Sequence, residues 1–136
     1  MYNNCYQGKT VLVTGHTGFK GSWLSIWLTM MGAKVIGFSL DPYSDKGNFE
    51  ACHLHEKLHA DVRGDIRDYD KLNDTITKYK PEIVFHLAAQ ALVRTAYADP
   101  KLTYETNLMG SLNVLECVRH NESVKTVIMI TSDKCM

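Results

Sequence analysis

The sequence predicts an α/β fold, a doubly wound parallel sheet with helices on both faces. Three observations point there. Short apolar, β-branched runs alternate with longer segments of helical spacing along the whole chain. The first run, Val11-Leu12-Val13, is apolar at consecutive positions, which suits a strand covered on both faces. Between it and the first helical segment lies a turn, Thr14 to Gly21, that holds three glycines.

The elements follow in order. Lys9 to Thr14 is the first strand. A helix runs from Gly18 to Met31, with Phe19, Trp23, Leu24, Trp27, Leu28 and Met31 as its apolar face and Gly32 as its stop. Lys34 to Leu40 is the second strand, ended by Asp41-Pro42 because proline cannot donate to a ladder. Pro42 to Asn48 is a loop, Phe49 to Leu58 a weak helix, and a third short strand lies near Leu58 to Val62, ahead of the charged segment Arg63 to Asp68. Tyr69 to Tyr79 is a surface helix, capped by Asp68, with Leu72, Ile76 and Tyr79 on one face. Glu82 to Leu87 is a buried strand. Asp99-Pro100 opens one long helix through Tyr104, Leu108, Leu112, Leu115 and Val118, a stripe read as helix packing. Thr126 to Thr131 is the last strand.

There is no internal repeat and no low-complexity linker, and 136 residues suit one domain. A doubly wound dinucleotide fold ordinarily adds a further helix and strand, so residues 1–136 are expected to form an incomplete dinucleotide-binding unit, cut after about five strands.

Fifteen Lys and Arg balance fifteen Asp and Glu, which removes any overall attraction to nucleic acid or an anionic membrane and makes phosphate recognition a local matter. The apolar runs are much shorter than the roughly 20 residues a membrane span needs. A cytoplasmic protein with no membrane or nucleic-acid partner is therefore expected. The cysteines at 5, 52, 117 and 135 form no CxxC pair, which fits reduced thiols. His53, His55 and His59 cluster without a cysteine pair, and no metal site is predicted.

Gly15, Gly18 and Gly21 have the spacing GxxGxxG between a strand and a helix. The first permits the sharp turn, the second lets a pyrophosphate approach the backbone, and the third lets the helix pack closely on the sheet. The helix start adds unpaired N–H groups and a partial positive charge. Gly15, Thr17, Gly18, Phe19, Lys20 and Gly21 are thus candidate cofactor residues. Lys20 in the first helical turn opposes the helix dipole unless an anion answers it; the plain alternative is a solvated lysine tip. Asp41, about 20 residues beyond the glycines, is placed to bond a ribose diol and repel a 2′-phosphate, which favours NAD over NADP. Its alternative role is a turn-forming Asp-Pro.

These glycines, with Asp65-Ile66 after the third strand and His86-Leu87-Ala88-Ala89 after the fourth, resemble the extended short-chain dehydrogenase/reductase family, whose cofactor domain is a Rossmann fold. The strings TGHTGFKGSWL, FHLAAQALV, YADP, YETNLMGSLNVLE and TSDKC are more particularly similar to the nucleotide-sugar 4,6-dehydratases that act on CDP-glucose. The resemblance spans nearly the whole chain, and its discriminating details are His16 with Lys20 and the triplet Ser132-Asp133-Lys134.

The resemblance implies NAD as cofactor, with Phe19 beside the pyrophosphate, Asp65 and Ile66 at the adenine, and Leu87, Ala88 and Ala89 along the cofactor. It gives Asn107 the support of the active-site backbone. It also implies a CDP-sugar substrate, oxidised at C4, stripped of water across C5 and C6, and reduced again at C6 to a 4-keto-6-deoxy sugar. Ser132 would bond the C4 oxygen and Asp133 protonate the leaving hydroxyl. Lys134 stands where relatives carry a glutamate base. It acts as a base if burial or a nearby cation brings its pKa toward neutrality, and otherwise stabilises the C4 enolate as a cation.

The family's Tyr-x-x-x-Lys pair and its C-terminal substrate domain are not found, so this chain alone is expected to bind cofactor and not to turn over efficiently. Met136 and Ala96 depart from the tyrosine and serine common in relatives. The Tyr104 to Leu115 face is the one relatives use to form a homodimer. The other readings are a nucleotide-sugar epimerase or reductase of the same family, which would replace Asp133-Lys134, and a non-catalytic NAD-binding remnant.

Overall fold

The computed structural model describes residues 2–132. Its strands are β1 (Thr10–Thr14), β2 (Lys34–Ser39), β3 (Ala60–Arg63), β4 (Ile83–His86) and β5 (Thr126–Met129), joined in one sheet of order β3-β2-β1-β4-β5. Every pairing is parallel: Val11 lies beside Val35 on one side and Ile83 on the other, Ile36 beside Ala60, and Ile83 beside Thr126. The predicted strands are all present: four are trimmed by one or two residues, and β3 lies slightly later than expected, ending at Arg63 rather than Val62. The chain winds outward from β1 to β3 and then returns to β4, so the order reverses between β1 and β4, where folds of this kind bind ligands at the carboxyl ends of the strands.

The helices are α1 (Phe19–Met30), α2 (Asn48–Ala51), α3 (Tyr69–Tyr79), α4 (Val93–Ala98), α5 (Pro100–Tyr104) and α6 (Gly110–His120). Asp68 caps α3 as expected, its carboxylate accepting the Lys71 N–H at 3.1 Å. The weak helix expected over residues 49–58 shrinks to α2 and a 3₁₀ turn, Leu54–Glu56.

Two predictions need correction. The single long helix is present, its backbone helical from α5 straight into α6, but it contains a π-helical turn at Glu105–Met109 that the spacing did not predict. Its supposed packing stripe faces outward, with Tyr104, Leu108, Leu112 and Leu115 all exposed. In addition α4, which had no apolar period to reveal it, precedes α5 and buries none of its residues.

One core lies on the α3 and α6 face of the sheet, where Leu12, Ile36, Phe38 and Val84 meet Leu72, Ile76, Val114 and Cys117. The other gathers Val11, Val13 and Val35 under α1 with Leu28. Here the expected apolar face of α1 is also corrected. The helix buries Gly21, Ser22, Ser25 and Leu28, while Phe19, Trp23 and Trp27 are exposed. The cause is proximity. A Cβ on Gly21 would collide with the Gly15 carbonyl, so the helix start rests on the turn with no room for large side chains. Ser22 and Ser25 remain satisfied there by donating to the carbonyls of Phe19 and Gly21, at 2.9 and 2.8 Å.

Candidate functional site

At the carboxyl end of β1 the chain turns sharply through Gly15, whose φ of +75° belongs to the left-handed region and whose Cβ position is filled by the Ala88 backbone. Gly18 is the N-cap of α1 and offers no side-chain cap, so the first N–H groups of the helix are open to a ligand. Thr17 ties the turn to the end of β2 through Ser39 Oγ at 2.8 Å and the Leu40 carbonyl at 3.1 Å. Phe19 and Lys20 both face solvent, and no carboxylate among the described residues pairs with Lys20. The anion predicted beside this lysine is thus not supplied by the described protein.

Beside the turn lies a network that sequence reasoning missed. His16 is fully buried, its Nε2 donating to Asp61 Oδ1 at 2.8 Å, and its ring meets Phe49 edge-on with centroids 5.5 Å apart. Burial outweighs the Asp61 carboxylate and lowers the His16 pKa, so the ring is neutral at pH 7. Its Nδ1 makes no hydrogen bond. Asp61 Oδ2 in turn accepts from Arg63 Nη2 at 3.0 Å, the Arg63 guanidinium lies 5.0 Å above the Phe49 ring, and its Nε reaches Asp41 Oδ1 at 3.3 Å. Asp41 stands at the end of β2 with its side chain 88% exposed.

A second buried network holds the β4 end. Thr14 Oγ1 accepts the N–H groups of Leu87 and Ala88, each at 3.1 Å. With both lone pairs engaged, its proton goes to His86 Nδ1 at 2.7 Å. His86 therefore carries its proton on Nε2 and donates to Ser111 Oγ at 3.1 Å, and Ser111 donates to the Asn107 carbonyl at 2.6 Å. Burial lowers the His86 pKa to about 4, which keeps it neutral. Asn107, inside the π-helical turn, clamps the Gln90 backbone from both sides: Oδ1 accepts its N–H at 2.7 Å and Nδ2 donates to its carbonyl at 3.0 Å. Leu87, Ala88 and Ala89 thus run from the Gly15 turn to a loop fixed by Asn107. The histidine in the otherwise apolar run of β4 was the signal available for this network.

At a third corner the Asp65 carboxylate is engaged by the chain itself. It accepts the Arg67 backbone N–H at 2.9 Å and the Arg67 guanidinium at 2.6 Å, which holds its pKa below the usual carboxylate range. Ile66 is buried against Gly110, where a Cβ would strike it. An open cavity of about 440 Å³ adjoins, lined by Asp65, Arg67, Asp68, Glu105 and Met109. Ser132 is exposed at the end of the sheet, while Asp133 and Lys134 lie outside the described residues.

Residues 12–134 match the model of the family described as GDP-mannose 4,6 dehydratase. The chain is 54% identical over 132 residues to CDP-glucose 4,6-dehydratase of Salmonella typhimurium, covering 97% of this chain and 36% of that protein. It is 36% identical to CDP-paratose 2-epimerase of Salmonella typhi, covering 91% and 37%. Among solved structures, UDP-glucose 4-epimerase from Thermus thermophilus in complex with NAD superposes with a TM-score of 0.73 at 32% identity, over 88% of this chain and 36% of that one. The chain therefore spans little more than a third of the length of the curated relatives it matches.

Proposed function

This chain belongs to the GDP-mannose 4,6 dehydratase family, and from that premise we propose that it forms the NAD-binding part of a nucleotide-sugar 4,6-dehydratase acting on CDP-glucose. The observation that carries the reading is the glycine turn: Gly21 is pressed on Gly15, leaving an open helix start and an unanswered Lys20 side by side. These residues fit a dinucleotide. The bare backbone at Gly18 admits a pyrophosphate, and Lys20 and the α1 N–H groups supply the positive charge that meets it. Asp41 at the β2 end is placed for the adenosine ribose, Ile66 and the Asp65 backbone for the adenine, and Leu87 to Ala89 for the path between the two halves.

NAD supplies the hydride acceptor and donor for the sugar C4 and C6 positions. The chain's own residues orient and protonate. The directional relay from Thr14 through His86 to Ser111 holds the Leu87 and Ala88 amides in place, and Asn107 holds the loop at Gln90. Ser132 would bond the C4 oxygen of the sugar, Asp133 would give its proton to the C6 hydroxyl as water leaves, and Lys134 would take the C5 proton as a neutral amine or, as a cation, stabilise the C4 enolate. A cytoplasmic homodimer belongs to the same reading. In its support, no helix among the described residues is long and apolar enough to cross a membrane, and Tyr104, Leu108, Leu112 and Leu115 form an exposed apolar stripe.

The test is to purify the protein from its natural host and incubate it with NAD and either CDP-glucose or UDP-glucose, following the sugar nucleotide by mass spectrometry. Loss of one water from the CDP-glucose alone is expected. Epimerisation without loss of water, or no turnover, overturns the dehydratase reading. Titration of the 136-residue chain with NAD tests cofactor binding separately.

A further inference from the structure

We infer that Arg63 is a specificity-determining residue at the adenosine end of the site, a ligand for a 2′-phosphate that Asp41 keeps occupied. The inference rests on the reading of the glycine turn as the NAD site.

Dinucleotide folds use an acidic side chain at this strand end to take the 2′-hydroxyl of the ribose, or a nearby arginine to accommodate a 2′-phosphate. This chain carries both at once. Arg63 closes β3 directly beside Ser39 of β2, and Asp41 lies two residues further along, with Arg63 Nε 3.3 Å from its Oδ1.

The two side chains are held very differently. The guanidinium is fixed by Asp61 at 3.0 Å and stacked on Phe49 at 5.0 Å, and Asp61 is itself anchored by buried His16 at 2.8 Å. Asp41 is 88% exposed, and among the described residues Arg63 is its one ion-pair partner. Removing Asp41 therefore leaves Arg63 where it is, without the carboxylate that pairs with its Nε.

Charge counting gives the consequence. With His16 neutral, Asp41 and Asp61 face one guanidinium, and the corner carries one net negative charge that disfavours a phosphate. Without Asp41 the count is neutral, and the guanidinium, with Nη2 bonded to Asp61 at 3.0 Å and Nη1 3.5 Å from His16 Nε2, presents its Nε and its charge to the place Asp41 leaves. Preference for NAD over NADP thus hangs on a single exposed carboxylate, with the opposite preference already built behind it.

The experiment measures dissociation constants of NAD and NADP for the 136-residue chain, by calorimetry, in the wild type, Asp41→Ala, Arg63→Gln and the double variant. Asp41→Ala is expected to raise affinity for NADP relative to NAD by at least about tenfold, a change expected from the loss of one opposing charge and the gain of one charge-assisted contact. Arg63→Gln in the Asp41→Ala background is expected to abolish that gain. Should Arg63→Gln impair folding, Arg63→Lys decides, since it keeps the charge without the guanidinium that Asp61 and Phe49 hold in place, and is expected to retain only part of the gain. An equal gain with and without the arginine overturns the inference. Wild-type chain that binds neither nucleotide overturns the cofactor reading itself, whereas NAD binding with no effect of Asp41→Ala on the ratio overturns only the role of Arg63.

Discussion

The two faces of the sheet are covered by opposite means. On one, α3 and α6 bring Leu72, Ile76, Val114 and Cys117 onto Leu12, Ile36, Phe38 and Val84, a core of interlocking large side chains. On the other, α1 comes down on glycine and serine, and its tryptophans face away from the sheet. The start of α1 lies so close to the turn before it that a Cβ on Gly21 would strike the Gly15 backbone, and closeness excludes bulk. The contrast teaches that burial energy is concentrated on the face away from the glycine turn, while the α1 face gives up apolar burial for a tight backbone approach.

The largest expected effect that sharpens this comparison is Ile76→Ala, which empties a fully buried site in α3 and should lower stability by about 2–5 kcal/mol. Urea denaturation measures it, and a loss under about 1 kcal/mol would break the claim that this face dominates.

Next comes pH. His86 titrates near 4 when folded because of burial, against 6.5 for a free histidine. The unfolded chain therefore binds more protons between those values, so stability is fully present above pH 6.5 and is lost as pH falls toward 4, by about 3 kcal/mol in all. His16 on the opposite face is shifted in the same direction and adds to the slope. Melting temperatures at a series of pH values should show the decline, and His86→Gln should flatten most of it.

Gly21→Ala reverses the logic of Ile76→Ala, since here added volume does the damage. Its methyl would meet the Gly15 backbone, and a destabilisation of about 1–3 kcal/mol is expected together with loss of NAD binding on titration. Retained affinity would mean that the close approach is not what shapes the turn. The smallest effect belongs to Trp23→Ser: this side chain is 53% exposed, and the melting transition should move by no more than about 0.5 kcal/mol in free-energy terms.

Much of this architecture was legible beforehand because its signals are local. Val11-Leu12-Val13 and Ile83-Val84-Phe85 read as buried strands from their side chains alone, and Gly15 and Gly21 from their spacing. The π-helical turn in the long helix was hidden because Tyr104, Leu108 and Leu112 keep a four-residue interval straight through it. The π-helical turn sits where Asn107 bonds the Gln90 backbone and Ser111 returns to the Asn107 carbonyl, a tertiary arrangement with no periodic trace. Helix α4 escaped notice for a related reason: it buries no residue, so no apolar pattern marks it.

By itself the sequence determined the order of the five strands and of α1, α3 and the long helix, the parallel sheet and the place of the glycine turn, since each depends on neighbours within a few positions. Only the tertiary structure decided which side of α1 is buried, because that depends on how near the helix lies to the strand beneath it. Likewise the meetings of His16 with Asp61, 45 positions apart, of His86 with Thr14, 72 apart, and of Arg63 with Asp41 follow from strand order and register. Those contacts set protonation and charge at the site, and no spacing along the chain encodes them.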